Sequence, residues 1–168
     1  MSKLTKLLIF IPLLSFCSRA LSKSPKVIEG AMVYQFTRYI TWPEDQLNSK
    51  KSFDIGIISD EALSQVLKDN LKTRTIHDLP VKFTGLSDLT KSQVIVVGQN
   101  SDRQSPLIKR KLNECICIII GYYGEAYEHI TLRTVDQKLR FEINLKLAKE
   151  KGFYISSRLL NLALKVKN

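Results

Sequence analysis

The chain has 168 residues, 44% of them hydrophobic, and carries a formal charge of +10. That is about the length of one ordinary domain and enough to close a single hydrophobic core. The surplus lysine is scattered, apart from Lys109-Arg110-Lys111 and Lys165-Val166-Lys167, and no recognition motif stands beside it. A nucleic-acid reader is thereby excluded, and the surplus is expected to serve a solvated basic face or to meet an acidic partner surface.

Residues 1–20 form a three-part leader. Lys3 and Lys6 precede the apolar run Leu7–Phe16, and Ser18 and Ala20 place small residues three and one before a cut after Ala20. The run is about half of the roughly 20 apolar residues that a spanning helix needs, so a removed export signal is expected rather than a retained anchor. Removing Lys3, Lys6 and Arg19 with it lowers the charge from +10 to +7. Cys17 keeps a second fate open. Leu14-Ser15-Phe16-Cys17 is a degraded lipoprotein cleavage site, bulky at Phe16; a lipidated chain would be tethered to a membrane and a cleaved one would diffuse.

Residues 21–168 read as one domain. Lys26–Ile40 is a predicted helix with Ile28, Met32, Phe36, Tyr39 and Ile40 on one stripe, ended by Pro43. Ser52–Ile58 reads as a strand, and Ser59-Asp60 caps a helix carrying Ala62, Leu63, Val66, Leu67 and Leu71. Val81–Phe83 is a weak short strand and Gln93–Val97 a strong one, stopped by Gly98 and the polar turn 99–102. Pro106 suits the first turn of a helix marked by Leu107, Ile108 and Leu112. Cys115–Ile120 reads as the next buried strand and Gly121–Gly124 as a turn. Ile130–Val135 alternates as an exposed-edge strand does, and Lys138–Ile143 pairs with it in a hairpin across Asp136-Gln137. Asn144 caps a helix through Lys149 with Gly152 as its end signal. Ser156 caps a last helix bearing Leu159, Leu160, Leu162, Ala163 and Val166. This order predicts an α/β domain, a mainly parallel sheet with helices on both faces and a C-terminal antiparallel hairpin.

Little in the chain invites catalysis. The glycines are too sparse for a phosphate loop, no nucleophile elbow occurs, and His77 and His129 have no spaced metal-ligand partner. No cofactor, metal or enzymatic activity is expected. Asp60 with Glu61, at the C-terminal end of a strand, is the nearest acidic pair, and a cap plus a solvated carboxylate accounts for it equally well. Cys115 and Cys117 leave a bridge or two buried thiols open. In one extended strand their Cα atoms would stand about 6.5–7 Å apart, near the limit for a disulfide, which favours the thiols slightly.

Two stretches hold more than a generic domain requires: Phe36-Thr37-Arg38-Tyr39-Ile40-Thr41-Trp42-Pro43, and Leu139-Arg140-Phe141-Glu142-Ile143-Asn144 followed by Gly152 and Ile155-Ser156-Ser157-Arg158-Leu159-Leu160. In this order and behind a leader they resemble the YfiR-like family of periplasmic proteins, over essentially all of residues 21–168. Tyr127-Glu128-His129 departs from the family, which has a glycine pair there. The cysteines suffice for one bridge at most, where the best-known member has two.

The resemblance implies a non-enzymatic periplasmic regulator. Such proteins act as homodimers and hold down a membrane-bound diguanylate cyclase through its periplasmic sensor domain, and an outer-membrane lipoprotein can draw them away. The expected partner-binding residues are Arg38, Tyr39, Trp42 and Arg158, since Trp, Tyr and Arg dominate binding energy. For Trp42 the alternative is a ring plugging the bottom of the sheet. A different reading of the chain is a small-ligand binding module, with a pocket lined by Asp60 and the turn from Gly98 to Asp102.

Overall fold

The computed structural model describes residues 24–102 and 104–168, so the export signal expected over residues 1–20, and Cys17 with it, lie outside the described residues. Its framework is a run of parallel strands whose sequences are apolar on both faces. β2 (Phe53–Ile58), β5 (Val94–Val97) and β6 (Ile118–Gly121) sit side by side, with Ile55 opposite Val94 and Val94 opposite Ile118. Buried on both sides, such strands need helices above and below. α1 (Pro25–Arg38) and α2 (Glu61–Leu71) cover one face and α3 (Pro106–Glu114) the other.

β2 also pairs with β4 (Leu79–Thr84), which turns back on the short β3 (Thr75–Ile76). On the far side β6 pairs parallel with β7 (Ile130–Val135), and β7 pairs antiparallel with β8 (Lys138–Asn144). Among the described residues the sheet has eight strands, closed at one edge by β10 (Lys165–Lys167), in the order β10-β8-β7-β6-β5-β2-β4-β3. A separate ribbon joins β1 (Ile40–Thr41) to β9 (Tyr154–Ile155). The mainly parallel sheet, helices on both faces and C-terminal hairpin are those the sequence predicts.

Local chemistry explains the boundaries. Asp60 accepts from Leu63 N at 3.0 Å, Asn144 from Leu147 N at 3.1 Å and Ser156 from Leu159 N at 3.4 Å, which starts α2, α4 (Leu145–Glu150) and α5 (Ser157–Leu160). The hairpin turns on Asp136 and Gln137, both at positive φ (48° and 60°), as a two-residue primed turn requires.

Four expectations are corrected. α5 ends at Leu160, and Lys165–Lys167 is a strand, β10, parallel to β8. Leu162 (63% exposed) and Leu164 (42%) have no core to face, whereas the free edge of β8 has backbone groups to satisfy; Leu164 N donates to Phe141 O at 2.8 Å. β7 is interior rather than an edge, because β6 flanks it. The buried stripe of α1 runs through Glu29, Gly30, Val33, Phe36 and Thr37, leaving Ile28 exposed. It is rotated because the helix packs against α2 at Gly30, where a Cβ would stand 3.1 Å from Val66 Cγ1.

The fourth correction concerns the cysteines. The strand starts at Ile118, and the irregular segment before it brings the Cα atoms of Cys115 and Cys117 within 5.4 Å, joined in a disulfide. Ile116 between them is turned outward. The bridge closes so small a loop that it is worth roughly 1–2 kcal/mol by unfolded-state entropy. Reductant alone is therefore expected to lower the melting temperature by only a few degrees, read by circular dichroism; a fall of tens of degrees would contradict this.

Candidate functional site

The two family-like stretches lie far apart in sequence and meet at the ribbon. Ile40 stands opposite Ile155 and Thr41 opposite Tyr154, and Ser156 N donates to Tyr39 O at 2.9 Å. Alternation then sorts the side chains along the ribbon: Ile40, Trp42, Phe153 and Ile155 go into the core, while Thr41 and Tyr154 point to solvent. In the helix that follows, Leu159 is buried and Arg158 exposed. Pro43 packs on Gly152, whose Cβ would lie 3.3 Å from Pro43 Cγ and whose φ of 81° suits glycine.

Of the expected contact residues, Arg38 and Arg158 are exposed and Tyr39 is half-buried, on the surface formed by the end of α1, the ribbon and α5. Trp42 is not on that surface. It is 5% exposed and its ring meets those of Phe53 and His77, each at 5.3 Å between centroids, and Phe153 at 6.2 Å. Tyr154, 68% exposed, was not singled out by sequence reasoning. The alternation of Phe153, Tyr154 and Ile155 is the signal that marks it as outward-facing.

Beside Arg38 opens a cavity of about 280 Å³ lined also by Tyr34, Thr37, Thr75, Ile76, His77 and Asp78. His77 and Asp78, at φ 49° and 62°, make the turn between β3 and β4. His77 Nε2 donates to Thr37 O at 3.0 Å, fixing this turn to the last turn of α1. Polar groups thus converge around Arg38 from two elements.

The C-terminal ends of the parallel strands, where an open α/β sheet places ligands, carry a different arrangement. Lys26 Nζ donates to Glu29 Oε2 at 2.9 Å and to Asp60 Oδ2 at 2.5 Å, and Tyr122 OH donates to Glu29 Oε1. Burial raises the Glu29 carboxyl above the ordinary range against the pull of Lys26. Burial alone would lower Lys26, but its hydrogen bonds to Asp60 and Glu29 outweigh that and hold it raised. Both Asp60 oxygens are taken by protein donors. A Cβ at Gly98 would lie 2.6 Å from Ser59 O and 2.9 Å from Asp60 Cβ, so the gap between Asp60 and the Gly98 turn is filled by the chain itself. The neighbouring cavity, about 370 Å³ between Gln99, Tyr122, Tyr123 and Arg133, does not include Asp60. This cluster clamps the start of α1 to the sheet.

Among the described residues no group of three or more His, Cys, Asp and Glu is placed to hold a metal, and no helix is long and apolar enough to cross a membrane. No curated protein matches the sequence. The fold is similar to that of a conserved domain protein from Vibrio cholerae O1 biovar eltor str. N16961, with a TM-score of 0.53 and 13% identity. The match covers 86% of this chain and 60% of that one, a likeness of fold alone. The model of one sequence family, described as YfiR/HmsC-like, matches residues 26–164, from the lysine of the α1 clamp to the approach to β10. The ribbon that unites the Trp-Pro stretch with the Ser-Ser-Arg-Leu-Leu stretch is therefore a feature of a chain that belongs to the YfiR/HmsC-like family.

Proposed function

We propose that the chain is an exported, non-enzymatic regulator that represses or modulates a membrane-bound diguanylate cyclase by binding its periplasmic sensor domain. Family membership supports this reading, and the observation that carries it is the ribbon surface, where Arg38, Tyr39, Tyr154 and Arg158 project around two strands held from beneath by the core. Residues 1–20 direct export, the mature chain works in the periplasm as a homodimer, and an outer-membrane lipoprotein competes for it.

Such a protein acts by preferring one conformation of its partner, and the coupling expected of that preference is about 1–3 kcal/mol, or roughly 5- to 150-fold. Deleting the gene is expected to raise cyclic di-GMP, and the wild-type gene to restore it. Arg38→Ala and Tyr39→Ala, which lie outside the core, are expected to accumulate folded in the envelope fraction yet to restore it poorly. Unchanged dinucleotide on deletion removes the reading. The cavity beside Arg38 favours a second one, a small-ligand module, in which deletion leaves cyclic di-GMP unaltered and a bound metabolite co-purifies with the chain.

A further inference from the structure

The strand register gathers charges that are scattered in the sequence. Residues directly opposite one another share a face of the sheet. Val135 stands opposite Lys138, Arg133 opposite Arg140, and Thr131 opposite Glu142; Lys165 stands opposite Glu142, and Lys167 opposite Asn144. Arg133, Lys138, Arg140, Lys165 and Lys167 therefore lie on one face of β7, β8 and β10, five bases against the single acid Glu142. Lys138, Arg140, Lys165 and Lys167 are exposed, and Arg133 reaches Glu142 only at 3.7 Å. A Cβ at Gly124 would lie 3.2 Å from Arg133 Nη2 and 4.0 Å from Lys167 Nζ, so head groups from β7 and from the edge strand β10 converge over one loop.

The opposite face of the same strands is core, through Leu132, Phe141 and Ile143, which cluster with Ile40, Trp42 and Ile155 of the ribbon. The basic face thus points away from the surface assigned above to a protein partner. On its own side, α3 covers β5 and β6 and adds Lys109, Arg110 and Lys111.

We infer that this face seats the protein on an anionic phospholipid bilayer. Among the described residues that the register puts there, Val135 is the one exposed large apolar side chain, and no aromatic ring occurs. Protein interfaces are built on buried aromatic and arginine anchors and are poor in lysine. Long basic side chains gathered on one sheet face suit instead a fluid layer of negative head groups, to which each contributes about fivefold in affinity. The inference is independent of the regulatory reading, since it concerns another face and another binding event.

Flotation of the purified protein with vesicles of phosphatidylglycerol mixed with phosphatidylcholine, against pure phosphatidylcholine, tests it. Binding is expected only to the former, and is expected to weaken as salt shortens the screening length. Arg140→Gln with Lys165→Gln, both exposed, should lose about 25-fold at that fivefold per base. Lys68→Gln with Lys72→Gln on the α2 side removes equal charge and should lose little. Absence of binding to the anionic vesicles, equal binding to both vesicle types, or equal loss in the two double variants would each overturn the inference. So would binding restricted to an acidic protein or to nucleic acid.

Discussion

Replacing Trp42 by alanine is expected to cost about 3–5 kcal/mol, the range for emptying a buried aromatic site. The ring is held edge-on between Phe53 and Phe153 and against His77, so no neighbour can fold into the space without breaking another contact. Its Nε1–H has no hydrogen-bond partner among the described residues. Trp42→Phe therefore forfeits area but no bond, and should cost markedly less. A loss of this size is a large part of the 5–15 kcal/mol that holds an ordinary domain together. It should lower the melting temperature by roughly 10 °C or more. Arg38→Ala, at an exposed helix end, is expected to stay within about 0.5 kcal/mol of wild type. Chemical denaturation of the three variants measures this, and a Trp42→Ala protein as stable as Arg38→Ala would mean the ring is not in the core.

The second large effect is one of pH. His129 is 1% exposed, its Nδ1 accepts from Ile119 N at 3.1 Å, and its ring lies edge-on to Phe153 at 5.8 Å. Burial, with nearby Lys151 adding to it, lowers the imidazole from 6.5 to about 4. Because the folded value is the depressed one, the unfolded chain takes up the proton first on acidification. The stability tied to neutral His129 is then complete above about pH 6.5 and is lost as pH falls towards 4, by about 3 kcal/mol in all. Glu29 and Glu128, both raised by burial, work in the opposite sense, since protonating them favours the folded chain. The informative quantity is thus the difference between wild type and His129→Gln, whose amide oxygen can still accept from Ile119. Wild type should be the more stable at pH 7, and the gap should close or reverse by pH 4. A gap that holds steady across that range would contradict a buried neutral imidazole.

Which features were legible follows from the distance over which they act. Asp60, Asn144 and Ser156 cap within three residues, and Asp136-Gln137 turns a hairpin whose strands are its own neighbours, so sequence alone places them. The end of the chain misled because Leu159, Leu160, Ala163 and Val166 fit a helical stripe, while the factor that decides, an unpaired edge on β8, lies more than twenty positions upstream. The rotation of α1 follows from Gly30 meeting Val66, and the bridge between Cys115 and Cys117 from an irregular approach to β6; neither leaves a periodic trace. Arg38, Tyr39 and Arg158 were reached through motif likeness, and only pairing of β1 with β9 places Tyr154 beside them. The basic face was invisible for the same reason, because Arg140 and Lys165 become neighbours only through strand register.

That pairing has a further consequence. Ile40 and Ile155 are 115 positions apart, and such a contact must absorb the loop-closure entropy of nearly the whole fold before it returns any energy. Two strands of two residues cannot hold together alone, so the ribbon exists only when α1, the sheet and the closing helices are all in place. A partner that reads Tyr39 and Tyr154 together is in effect proofreading, accepting a chain only after its two distant halves have met.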